Sequence, residues 1–88
     1  MARKDAGITI YGTAWCPDCI RAKAFLDQQG ILYTWVDVEK DEAALHLVLE
    51  KNGGLRVVPT IFFPDGSVLV EPSNRELAEK LASLQMAE

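Results

Sequence analysis

Residues 8–19 read Ile8-Thr9-Ile10-Tyr11-Gly12-Thr13-Ala14-Trp15-Cys16-Pro17-Asp18-Cys19, and within them one periodicity gives way to another. Ile8-Thr9-Ile10-Tyr11 alternates apolar with polar or aromatic residues, the period of a short strand. Cys16-Pro17 then opens a helix, because proline suits the first helical position. Cys19, Ala22 and Leu26 fall on one face at helical spacing, flanked by Phe25, and Gly30 is a natural stop. A strand thus passes through a short loop into a helix, with two cysteines at the junction.

Residues 32–38 are rich in β-branched and aromatic side chains and read as a second strand. Asp37-Val38-Glu39-Lys40-Asp41 leads into a second helix, where Ala44, Leu45 and Val48 make an apolar stripe. Asn52-Gly53-Gly54 ends it. Val57-Val58-Pro59-Thr60-Ile61-Phe62-Phe63 enters a third strand, Pro64-Asp65-Gly66-Ser67 is a turn, and Val68-Leu69-Val70 is the hairpin partner. Ser73-Asn74-Arg75-Glu76 has capping-box spacing, and Leu77, Leu81 and Leu84 give the last helix its buried stripe. The order is β-α-β-α-β-β-α. The first two strands enclose a helix and should be parallel with a right-handed crossover. The last two form an antiparallel hairpin. The expected architecture is an α/β fold, a four-stranded mixed sheet with helices on both faces.

The chain has 88 residues, which suits one domain over 1–88 with a core at about 8–85. Hydrophobic residues at 49% and charged residues at 25% mark an ordinary globule and disfavour disorder. Apolar runs stop at three residues, so no transmembrane helix is expected. The charged start at 1–5 is followed by no apolar segment, which argues against a secretory signal. A net charge of −4 speaks against nucleic-acid or anionic-membrane partners. His46 falls on the solvated side of the second helix. Two cysteines and one histidine are short of the four ligands of structural zinc, and no metal site is expected.

Both cysteines lie in one tetrapeptide. Closing a loop of about four residues would stabilise by only ~1.9 kcal/mol, against ~3 for fifteen. The pair is better suited to reactivity, in an intracellular chain to redox cycling, so a cytoplasmic location is expected. At a helix N-terminus, free amides and the positive end of the dipole favour a thiolate at Cys16. Cys19 stands about one turn later on the apolar face and should be the less exposed thiol. Cys16 is therefore expected to attack and Cys19 to resolve. Pro17 keeps an extra amide out of the turn, and the charge of Asp18 should partly oppose the dipole.

Tyr11-Gly12-Thr13-Ala14-Trp15-Cys16-Pro17-Asp18-Cys19, then Val58-Pro59-Thr60, then Asp65-Gly66, resembles the glutaredoxin family of the thioredoxin fold from Ile8 to Leu84. The stretch Asn52-Gly53-Gly54-Leu55-Arg56-Val57-Val58-Pro59-Thr60 and Asp65-Gly66-Ser67 with Pro72-Ser73 look more like the mycoredoxin branch, found in actinobacteria that use mycothiol. The resemblance implies a thiol–disulfide oxidoreductase that reduces protein disulfides or mixed disulfides with a low-molecular-weight thiol and its reductase. It implies no tightly bound cofactor, and a monomer is expected. It also implies that Pro59 is a cis-proline facing the active cysteine, with the Val58 backbone pairing with bound thiol. Many glutathione-using members carry lysine at the position of Thr13, and a Gly-Gly and an acidic residue where this chain has Glu71-Pro72-Ser73-Asn74. Thr13 is thereby a candidate for the thiol-binding surface, and mycothiol is favoured over glutathione.

Around the pair, Trp15 is a candidate hydrophobic shelf and Arg56 a candidate carboxylate partner. Ser73 and Asn74 are helix caps whose neighbouring amides could also hold an anion or a polar thiol group. Two alternatives differ in kind. A NrdH-type electron donor to ribonucleotide reductase, served by thioredoxin reductase, usually carries a Trp-Ser-Gly-Phe-Arg-Pro stretch that is absent here. Glutaredoxins that bind an iron–sulfur cluster usually carry a single cysteine in Cys-Gly-Phe-Ser.

Overall fold

The first strand, β1 (Thr9–Gly12), lies inside the sheet, and the rest of the fold is arranged around it. A computed structural model of the protein describes residues 7–84. The charged start at 1–5 and Gln85, at the expected core's end, lie outside the described residues. After β1 come α1 (Pro17–Gln28), β2 (Thr34–Asp37), α2 (Glu42–Lys51), β3 (Thr60–Phe62), β4 (Val68–Val70) and α3 (Asn74–Ser83). The sheet order is β2-β1-β3-β4. β1 pairs with β2 in parallel, Thr9 opposite Thr34 and Gly12 opposite Asp37. It pairs with β3 antiparallel, and β3 with β4 antiparallel.

Two strands are shorter than their composition suggests. β1 offers β2 four partners, Thr9 to Gly12, and so Leu32 stays exposed outside the ladder. β3 starts at Thr60, directly after Pro59, which has no N–H to give a ladder and follows a cis peptide bond. The Thr60 hydroxyl donates instead to the Val57 carbonyl at 2.7 Å, closing that turn.

Alternation along β1 sorts the core into two layers. Ile8 and Ile10 join Ala22 and Leu26 of α1, Leu77 and Leu81 of α3, and Ile61 and Phe63. On the other side Tyr11 and Val36 pack against Val38 and against Ala44 and Val48 of α2. Helices therefore cover both faces, α1 and α3 on one and α2 on the other. A buried leucine such as Leu26 or Leu77, truncated to alanine, typically costs ~2–5 kcal/mol. The helix ends follow local chemistry. α1 gives out at Gly30, whose φ of 71° is the left-handed region open to glycine. Asp41 caps α2 by accepting from the Ala44 amide at 3.0 Å, and Ser73 and Glu76 form a reciprocal capping box on α3. Among the described residues no helix is long and apolar enough to cross a membrane.

Candidate active site

Cys16 is the N-cap of α1. Its Sγ accepts from the Cys19 amide at 3.2 Å, the bond a serine or aspartate oxygen would make at this position. Pro17 follows at the first helical position and contributes no donor. The Cys16 thiol also lies 3.9 Å from the Val58 carbonyl oxygen, just before the cis proline. Cys16 is 6% exposed and Cys19 fully buried, and both are free thiols. Burial is the main cause that pushes the Cys19 thiol up to about 12. The hydrogen bond with Cys16 and the charges of Cys16 and Asp18 add to it, and a backbone bond at Thr13 opposes them. Cys19 is therefore a neutral thiol over the physiological range, set deeper than the nearly covered sulfur of Cys16.

Gly12 makes room for this arrangement, a role its place in the sequence does not announce. A Cβ there would stand 2.5 Å from Cys19 Sγ, closer than such atoms approach, and 3.0 Å from the Trp35 ring, a tight contact.

The rim is built from loops. Trp15 is 60% exposed beside Cys16, and its indole Nε1 donates to Glu39 Oε1 at 3.1 Å. The other oxygen of Glu39 is 3.6 Å from Arg56 Nη1. Glu39 thus joins two expected site residues that come from different loops. Asp18 is exposed and lies 3.6 Å from the Arg21 guanidinium. Arg21 in turn donates to Asn74 Oδ1 at 2.7 Å and to the Pro72 carbonyl at 2.9 Å, pinning the start of α3 to α1. Sequence reading singled out neither Glu39 nor Arg21, because a lone charge in a loop or on a helix carries no periodic signal.

Three of the expected rim residues have surroundings that bear on their expected roles. Thr13 is fully buried, and its Oγ1 finds no hydrogen-bond partner among the described residues. Its side chain is enclosed and not presented to solvent, while its carbonyl accepts from the Cys16 amide at 3.3 Å. The Ser73 amide is already satisfied by Glu76 Oε1 at 2.8 Å, and the Glu76 amide by Ser73 Oγ at 3.1 Å. The Asn74 side-chain oxygen is taken by Arg21. The capping box thus takes the amides of Ser73 and Glu76 at the start of α3.

A near-surface sulfur hydrogen-bonded at a helix N-terminus, a buried neutral thiol one turn on and a cis proline against the first sulfur make the site of a thiol–disulfide oxidoreductase on a thioredoxin-like fold. The glutaredoxin family model matches residues 8–69. A Mycobacterium tuberculosis protein named as a glutaredoxin is 46% identical over 79 residues, covering 90% of this chain and 94% of that one. Mycoredoxin 1 of Corynebacterium glutamicum is 38% identical over 79 residues, 90% and 98% of the two chains. Among solved structures, a mutant of a thioredoxin-like protein superposes with a TM-score of 0.72 at 32% identity, over 93% of this chain and 97% of that one. A buckwheat glutaredoxin–glutathione complex shares the fold, with a TM-score of 0.66 at 22% identity over 91% and 72%. The chain belongs to the glutaredoxin family.

Proposed function

We propose that Cys16 is the nucleophile and Cys19 the resolving thiol of a protein-disulfide and mixed-disulfide reductase, recycled by a neutral small thiol of the mycothiol type. The observation that carries this is the Cys16 sulfur at the head of α1, accepting the Cys19 amide while Cys19 itself is buried. In the dithiol route the Cys16 thiolate attacks one sulfur of a target disulfide, forms a mixed disulfide and expels the other sulfur as a thiolate, which takes up a proton. Cys19, losing its proton, attacks the Cys16 sulfur, closes the Cys16–Cys19 disulfide and releases the target as a dithiol. Two small thiols then reduce that disulfide and leave as their own disulfide, which their reductase consumes.

With a target carrying a bound small thiol, Cys16 takes the small thiol and frees the protein thiol. A second small thiol then restores Cys16. Trp15 serves as the shelf and the Val58 backbone as the pairing edge for the bound sulfur. No cation stands at position 13, and Glu71, whose amide donates to the Pro59 carbonyl at 2.9 Å, adds negative charge on that side, so a thiol with two carboxylates such as glutathione is compensated poorly. The likeness to a protein named mycoredoxin supports the same choice. A dithiol of this kind needs a reducing compartment, so the cytoplasm is the proposed location.

The test is a pair of variants. Cys16→Ser should abolish reduction of every disulfide. Cys19→Ser should keep turnover of mixed disulfides and lose reduction of intraprotein disulfides. The reverse pattern would overturn the assignment. Equal or better turnover with glutathione than with mycothiol, each with its own reductase, would overturn the thiol preference.

A further inference from the structure

The sulfur chemistry has no use for the carboxylate of Glu39, yet that carboxylate sits on the rim of the site. Glu39 comes from the loop between β2 and α2, Trp15 from the loop before α1 and Arg56 from the loop before β3. Three exposed side chains converge, with Glu39 Oε1 on the Trp15 indole and Oε2 on the Arg56 guanidinium. Arg56 remains 44% exposed and Glu39 41%, so the pair contributes little to stability. Its effect is on what else can bind. Arg56 lies two residues before Val58, whose carbonyl faces the Cys16 sulfur. A guanidinium there is the natural partner for a carboxylate arriving with a thiol, and a forked pair would be the strong one. Glu39 already fills that partnership and repels a second carboxylate. Arg21 of α1 is committed to Asp18, Asn74 and Pro72 and offers no substitute.

We propose that Glu39 is a specificity-determining residue: by holding Arg56 and the Trp15 indole it shuts anionic thiols out of the rim and leaves it to neutral, hydroxyl-rich ones. This rests on the reading of the rim as a small-thiol site. Glu39→Gln is the informative change, since its amide oxygen can still accept from Trp15 while the charge is gone.

Two readouts are needed, taken on the same variants. The first compares alkylation of Cys16 by iodoacetate and by iodoacetamide, one anionic and one neutral, with the modified cysteine identified by mass spectrometry. Glu39→Gln should raise the iodoacetate-to-iodoacetamide rate ratio about two- to fivefold at low salt, the scale of one exposed charge a few ångströms away in water. The rise should vanish in the Glu39→Gln, Arg56→Gln double variant and in 1 M salt, where screening acts over about 3 Å. The second readout is turnover of one mixed disulfide with glutathione and with mycothiol, and the same variant should shift that ratio toward glutathione. An alkylation ratio that stays put, a rise that survives loss of Arg56, or an unchanged thiol ratio overturns the inference. Failure of the wild-type protein to turn over with either thiol would instead sink the small-thiol reading, whatever the alkylation shows.

Discussion

Gly12 lacks a side chain because of a sulfur that arrives seven residues later. An alanine Cβ would meet Cys19 Sγ at 2.5 Å and the Trp35 ring at 3.0–3.1 Å. Gly12→Ala should therefore destabilise the protein by ~1–3 kcal/mol, read as a lower denaturant midpoint at unchanged slope, and slow closure of the Cys16–Cys19 disulfide. A midpoint equal to the wild type would mean that Cys19 and Trp35 yield without penalty. Cys19 makes a second prediction. Burial, the largest cause of its elevation, persists when Cys16 is removed. In Cys16→Ser the remaining thiol should resist iodoacetamide at pH 8 while native and react freely once unfolded. Rapid labelling of the native variant would contradict the burial. The cysteine pair was legible in the sequence because its spacing and its place at a strand–helix junction are local facts. The need for Gly12 was not, since tertiary packing alone brings Cys19 and Trp35 against it. The burial of the Thr13 side chain was hidden for a related reason, since position in a motif does not say how deeply a side chain lies.

At the level of elements, what could be read from sequence was what neighbours in the chain determine. The capping box Ser73–Glu76 and the stop at Gly30 formed as their spacing implied. Ser73→Ala should remove the bond to the Glu76 amide and cost ~1 kcal/mol, lowering the melting temperature by about 4–8 °C for a domain of this size. A melting temperature within a degree of the wild type would show that solvent replaces the cap at no loss. The extent of β2 was not legible: it is limited to the four residues that pair with β1, and that limit belongs to its neighbour and not to its own composition. β3 begins after Pro59, which the sequence did show. The link from Arg21 to Pro72 and Asn74 was equally hidden, because it joins residues about fifty positions apart.

The molecule as a whole responds to pH through groups with shifted proton affinity. Lys80 first, and then the hydroxyl and amide of Ser67, hold the Asp65 carboxyl well below its ordinary value of 3.8. A depressed acid stabilises the fold above its unfolded value, and that contribution is lost as pH falls below about 4. Both partners keep contact with solvent, so the effect is modest, and Lys80→Gln should flatten the acid limb of a melting-temperature profile. Cys19 works in the opposite direction. Its raised value means that the folded protein holds the proton more tightly, so stability is intact below 9.0 and declines as pH rises toward about 12. Burial and then Asp27 raise Tyr33 as well, and that adds to the same decline. The reduced protein should lose melting temperature above pH 9 faster than the disulfide form or Cys19→Ser, both of which lack the buried thiol. Parallel profiles for all three would refute the assignment.

Cys16 and Cys19 stand on the same turn of α1, so the pair of electrons that such a dithiol exchanges is held within four residues. What the rest of the molecule contributes is depth: packing leaves one sulfur 6% exposed and the other with no exposure at all. A visitor from solvent meets the first and not the second, so the order of events would be written in burial, between two thiols that are chemically the same.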